Sequence, residues 1–89
     1  MIREPVTIIN KLGLHARASA KLQALAKQFS ADIALIKGSQ RADAKSIMSI
    51  MMLAASQGTE LELEVAGEDE KAAFKALVAL INNYFEEGE

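Results

Sequence analysis

Eighty-nine residues suffice for one domain and leave no room for a catalytic cleft plus a separate cofactor domain. Hydrophobic residues make up 51% of the chain and charged residues 25%, the balance of a globular protein and not of a disordered one. There is no cysteine and a single histidine, which excludes disulfides, zinc–thiolate sites, iron–sulfur clusters and multi-histidine metal sites.

The expectation is therefore one domain spanning residues 1–89, with no metal and no cofactor. The lack of cysteine fits a reducing compartment. No apolar run is long enough to span a bilayer, and Met1-Ile2-Arg3-Glu4-Pro5 lacks a signal-peptide core, so neither a membrane nor a secretory route is expected. The net charge of −2 conceals an asymmetry. Residues 1–45 carry eight Lys/Arg against Glu4, Asp32 and Asp43, a balance of +5, and residues 46–89 carry Lys71 and Lys75 against nine acids, a balance of −7. Two differently charged faces of one domain are the plain reading. No Lys/Arg cluster is interleaved with aromatics, so nucleic acid is not an expected partner.

Residues 2–9 alternate and are rich in Val, Ile and Thr, which predicts a strand, with Pro5 placing it at an edge or a strand start. Asn10 to Leu14 contains Gly13 and reads as a loop. From Ala16 the period becomes helical, with Ala18, Leu22, Leu25, Ala26 and Phe29 on one stripe. A second strand over 32–37, a turn at Gly38-Ser39 and a weak third strand over 40–44 follow. Ser46 to Ala54 reads as a short helix with Ser46 as N-cap. Thr59 to Ala66 is the clearest strand, because Leu61, Leu63 and Val65 alternate with Glu60, Glu62 and Glu64. Asp69 can cap a last helix whose stripe is Phe74, Leu77, Val78, Ile81 and Tyr84, and Glu86 to Glu89 reads as a frayed acidic tail. The order β-α-β-β-α-β-α, with one-sided alternation in the fourth strand, predicts a two-layer α+β domain. Periodicity leaves the strand order open between a ferredoxin-like and another open-faced arrangement.

His15 is the only imidazole, and it falls at or beside the cap of the first helix with Arg17 in the first turn. A helix N-terminus offers unpaired N–H groups and a partial positive charge, a ready site for phosphate. A guanidinium adds bidentate contacts to phosphate oxygens. Both positive features favour a neutral ring with a lone pair able to act as nucleophile. That set of groups suits a phosphoryl group carried on His15. By spacing alone the alternative stands that His15 only caps a helix and Arg17 is a solvated charge. In the second segment, Ile50, Leu53 and Ala54 fit a core stripe. Ile47, Met48 and Met51 then face outward as an adaptable docking surface, unless the helix is buried on most sides. Ser46 is a plain N-cap in the simplest case. A phosphate on it would stabilise the helix and set charge beside the apolar patch.

Asn10-Lys-Leu-Gly-Leu-His15-Ala-Arg17-Ala-Ser resembles the active-site signature of the HPr family, the histidine phosphocarriers of the bacterial phosphotransferase system. Ala44-Lys45-Ser46-Ile47-Met48 resembles its second signature, and Gln57-Gly58-Thr59 and Gly67-Glu68-Asp69-Glu70 match its later turns. The resemblance covers essentially the whole chain. It implies an open-faced β-sandwich with a four-stranded antiparallel sheet in order 1-4-2-3 and three helices on one face. It further implies that His15 is phosphorylated on Nδ1 by phospho-enzyme I, charged from phosphoenolpyruvate, and passes the group to IIA domains or proteins. Ala16 and Arg17 would bind the phosphoryl group. Ser46 would be the target of an HPr kinase/phosphorylase, and Ile47, Met48 and Met51 would dock partners.

Such a carrier is a cytoplasmic relay, a monomer in the simplest case, and not an enzyme acting alone. Its partner interfaces would be small, under ~1,200 Å². One departure is Ala18, where most members have proline after the arginine. Alanine is the best helix former, so the helix should survive the change. The nearest alternative is the nitrogen-related paralogue, NPr, from which the Ala-Lys-Ser-Ile-Met segment leans away. A regulator binding only through residues 46–53, with His15 silent, is a rival of another class. A small-ligand regulatory domain is a third, with nothing in the chain to support it.

Overall fold

The computed structural model describes Met1–Glu89. Its elements are β1 (Ile2–Thr7), α1 (Ala16–Ala26), β2 (Asp32–Lys37), β3 (Gln40–Asp43), α2 (Ile47–Met52), β4 (Glu60–Ala66) and α3 (Glu70–Asn82), followed by a short 3₁₀ turn over Tyr84–Glu86. The four strands form one sheet in the order β1-β4-β2-β3, and every neighbouring pair is antiparallel. This is the open-faced α+β architecture with order 1-4-2-3. Pro5 lies on the edge strand β1, where its missing N–H costs no inner ladder bond.

The alternation in β4 fixes which face is covered. Leu61, Leu63 and Val65 are buried, together with Ile33 and Leu35 of β2. Leu22 of α1, Ile50 of α2 and Leu77 and Ile81 of α3 complete that core from the helical layer. Each such side chain contributes roughly 1.5–3 kcal/mol on leaving water. The opposite face carries charge. Arg3 of β1 donates to Glu62 of β4 at 2.7 Å, and Arg41 of β3 reaches across β2 to Glu64 of β4. Ala34 and Ile36 of β2 are nonetheless buried, flanked in register by Glu64, Glu62 and Arg41.

Several expectations need correction. Phe29 lies beyond the end of α1 and only half-packs on the core. Ala54 is exposed with φ of 51°, so it ends the second helix instead of joining its buried stripe. Asp69 stands at the α3 N-cap but makes no side-chain cap bond. Its carboxylate accepts the Ser30 and Ala31 N–H groups, both at 2.9 Å, and so ties the α1–β2 loop to the start of α3. The buried aromatic after α3 is Phe85, fully enclosed, and not Tyr84, which is 39% exposed. The two charged halves do not form separate faces, because β4 of the acidic half inserts between β1 and β2 of the basic half.

Candidate functional site

His15 is the N-cap of α1, with φ −76° and ψ −179°. Its carbonyl accepts the Ser19 N–H at 2.9 Å, the first α-helical bond. The N–H groups of Ala16, Arg17 and Ala18 precede that bond and have no helical carbonyl to meet. The helix runs through Ala18 without the proline usual there in the family, and the Ala18 side chain is fully buried. Gly13 sets the approach to His15. With φ of 67° it turns the chain, its N–H donates to the Asn10 carbonyl at 3.2 Å, and its own carbonyl accepts the His15 N–H at 2.9 Å. Leu14 N–H donates to the Ala55 carbonyl at 2.9 Å, which fastens the histidine loop to the segment just after α2. The two sequence motifs are thereby joined.

A cleft of about 610 Å³ opens at this helix end, lined by Lys11, Leu12, His15, Ala16, Arg17, Lys21 and the acids Glu86, Glu87 and Glu89. The His15 side chain is 27% exposed there, within reach of a visiting molecule. The Arg17 side chain is exposed at the cleft and makes no hydrogen bond or ion pair within the chain.

The acidic tail is not frayed. It folds back through the turn at Tyr84–Glu86 and places Glu87 Oε2 at 2.5 Å from His15 Nε2. Glu87 Oε1 accepts from Asn10 Nδ2 at 3.1 Å, and the same Nδ2 donates to the Gly13 carbonyl at 2.9 Å. A carboxylate only accepts, so the ring proton that makes this bond is on Nε2, and in the neutral ring Nδ1 keeps its lone pair. Nδ1 has no hydrogen-bond partner in the chain. Burial works to raise the Glu87 carboxyl, but the bonds from Asn10 and His15 outweigh it and hold its pKa below the usual carboxylate value. Beside the two positive features read from the sequence, the structure thus sets an acid against His15. Nothing local in the sequence marks Glu87 as a partner of a residue 72 positions away. The only hint is an acidic end on a chain whose other half is basic.

The second predicted set lies outside this cleft. Ser46 caps α2, its Oγ accepting the Ser49 N–H at 3.3 Å. Met48 is 70% exposed, and Ile47 and Met51 are exposed to a lesser degree. Met52 and Leu12, which the periodicity does not single out, are exposed to the same extent as Met48. The helix thus buries Ile50 and leaves the apolar side chains of Ile47, Met48, Met51 and Met52 uncovered.

Fold and site together define a small open-faced α+β protein that presents one imidazole at a helix N-terminus. Residues 2–83 match the family model described as the PTS HPr component phosphorylation site. The chain is 53% identical to phosphocarrier protein HPr of Neisseria meningitidis serogroup A over 89 residues, the full length of both. It is 42% identical to phosphocarrier protein NPr of Shewanella violacea, over 97% of this chain and 94% of that one. The crystal structure of HPr-C-His from Thermoanaerobacter tengcongensis superimposes with a TM-score of 0.94 at 45% identity, covering 98% of each chain. The chain belongs to the HPr family of phosphocarrier proteins of the phosphotransferase system.

Proposed function

We propose that this phosphocarrier takes a phosphoryl group on His15 Nδ1 from phosphorylated enzyme I and delivers it to IIA components of sugar transport. The observation that carries the reading is the state of the ring. Nε2 is engaged by Glu87, Nδ1 is unbonded, and the ring caps α1 at the edge of an open cleft. In the transfer, the Nδ1 lone pair forms the new bond to phosphorus while the donor's bond to phosphorus breaks and its electron pair stays with the donor. The N–H groups of Ala16 and Arg17 and the free Arg17 guanidinium are the groups to meet the phosphoryl oxygens. The helix dipole adds ~0.3–1 kcal/mol at such a position, enough to orient a phosphate and too little to drive its transfer. The partner protein supplies the rest of the chemistry, so the chain completes no reaction alone.

Ile47, Met48 and Met51 form the docking surface in this reading, and Ser46 at its rim is the regulatory phosphorylation site, addressed by an HPr kinase/phosphorylase where the host has one. In this reading the carrier is a cytoplasmic monomer. No helix is long and apolar enough to cross a membrane. The test is incubation with enzyme I and labelled phosphoenolpyruvate. The chain should acquire acid-labile phosphate, and His15→Ala should acquire none. Undiminished uptake by that variant overturns the reading.

A further inference from the structure

Resting on the reading of His15 as phosphoryl acceptor, we propose that Glu87 is a positioning residue for that chemistry. Its carboxylate holds the ring by Nε2, keeps the proton there, and balances the positive charge the ring gains when Nδ1 is phosphorylated. Three observations support this.

The first is the contact itself, 2.5 Å from Glu87 Oε2 to His15 Nε2, with the carboxylate's other oxygen fixed by Asn10. Asn10 is fully buried, and its Oδ1 has no partner. The amide is turned so that its donor serves both the Gly13 carbonyl and Glu87, which ties the acid to the histidine loop. The second is the backbone that delivers Glu87. Tyr84, Phe85 and Glu86 have φ of 56°, 52° and 64°, three successive non-glycine residues in the left-handed region. Such a run persists only where its surroundings over-determine it, and it marks functional sites. The third is the set of ties that hold the run. Phe85 is buried in the core, Lys21 Nζ donates to the Phe85 carbonyl at 2.8 Å, and the Lys11 N–H donates to the Glu89 carbonyl at 3.2 Å.

The charge logic follows from the transfer step. When Nδ1 bonds to phosphorus, the Nε2 proton stays, and the ring carries one positive charge. When the Nδ1–phosphorus bond later breaks toward an acceptor, its electron pair returns to Nδ1. The ring leaves as neutral imidazole only if Nε2 is still protonated. Without that proton it must leave as imidazolide, a far poorer leaving group. The charged residues lining the cleft around the ring are Lys11, Arg17, Lys21, Glu86, Glu87 and Glu89, Lys21 is paired with Glu86, and only Glu87 bonds the ring. By holding the Nε2 proton, Glu87 keeps the carried group transferable.

The test uses the full chain as wild type, Glu87→Gln, Glu87→Ala and Glu87→Asp. Nitrogen-15 spectra of the uncharged His15 report which nitrogen holds the proton, and the loss of phosphate from the charged protein is followed against pH. The wild-type neutral ring should carry its proton on Nε2, and Glu87→Ala should show a mixture of the two tautomers. The pH midpoint for phosphate loss should fall by about one unit in the Gln and Ala variants, so that above it the phosphohistidine persists roughly tenfold longer. Asp should restore part of the shift, which general loosening of the tail would not produce. Wild-type tautomer and midpoint in variants that still accept phosphate would overturn the role of Glu87 and leave the phosphocarrier reading intact. Absence of uptake in the wild type would overturn the phosphocarrier reading instead.

Discussion

Gly13 fixes the backbone that leads into the histidine. A Cβ there would lie 2.8 Å from the Ser56 Cα and closer still to the Ala55 carbonyl, on a backbone with φ of 67°. The peptide it would push against is the one that Leu14 uses to fasten the loop to the end of α2. Gly38, in the β2–β3 turn, has a similar φ of 60°, and a Cβ there would meet nothing within 4 Å, so it isolates the backbone cost from the steric one. Gly38→Ala should cost about 1 kcal/mol and Gly13→Ala about 2 kcal/mol or more, read as the difference in urea unfolding midpoints. Equal losses at the two sites would mean that the close approach at Gly13 does not bind the two motifs together.

At the scale of elements, the turn after α3 shows where sequence reading runs out. Helical spacing from Phe74 through Ile81 continues to Tyr84, so the periodicity assigns Tyr84 to the buried stripe. The helix ends at Asn82, and the left-handed turn swings Phe85 inward instead. Periodic patterns report regular elements, and three consecutive left-handed residues have no pattern to report. The strands and α1 are legible because each buries one face of a regular repeat. His15 is legible because the start of a helical stripe fixes its cap. Glu87 is not, because its place depends on tertiary anchoring of an irregular turn.

That dependence is testable. Phe85→Ala removes a fully buried aromatic ring, a loss of about 3–5 kcal/mol, and takes away the anchor that offsets the strained backbone. The Glu87 N–H, bonded to the Tyr84 carbonyl at 2.9 Å, should then exchange with solvent as fast as an unstructured amide. Phe85→Leu, which retains most of the apolar volume, should keep part of the protection. Full protection at Glu87 in Phe85→Ala would show that the tail is held by something other than its core anchor.

For the whole molecule, the asymmetry of +5 and −7 between the halves becomes a set of seams. The ion pairs Met1 N-terminus–Glu70, Arg3–Glu62, Arg3–Glu64, Lys21–Glu86 and Arg41–Glu64, and the His15–Glu87 hydrogen bond, all run from the first half to the second. Exposed pairs of this kind contribute little one by one. Their common direction nevertheless gives the fold a defined response to acid. Hydrogen bonds from Arg3 lower the Glu62 carboxyl, those from Arg41 lower Glu64, the Ser30 backbone N–H lowers Asp69, and the N-terminal ammonium lowers Glu70. Glu87 is lowered as well, by Asn10 and His15 against its burial. A carboxyl whose folded pKa lies below its unfolded one, about 3.9 for Asp and 4.3 for Glu, contributes its full stability above the unfolded value. That contribution is lost as pH falls through the folded value. All five groups act with the same sign, so the urea midpoint should hold steady from pH 7 to about 5 and then fall continuously toward pH 2. Added salt screens the exposed arginine pairs but not the short backbone bonds to Asp69, so the acid loss should shrink in 1 M salt without vanishing. A midpoint independent of pH between 5 and 2 would mean that these carboxylates meet the same surroundings in the unfolded chain, and that the seams add nothing to the fold.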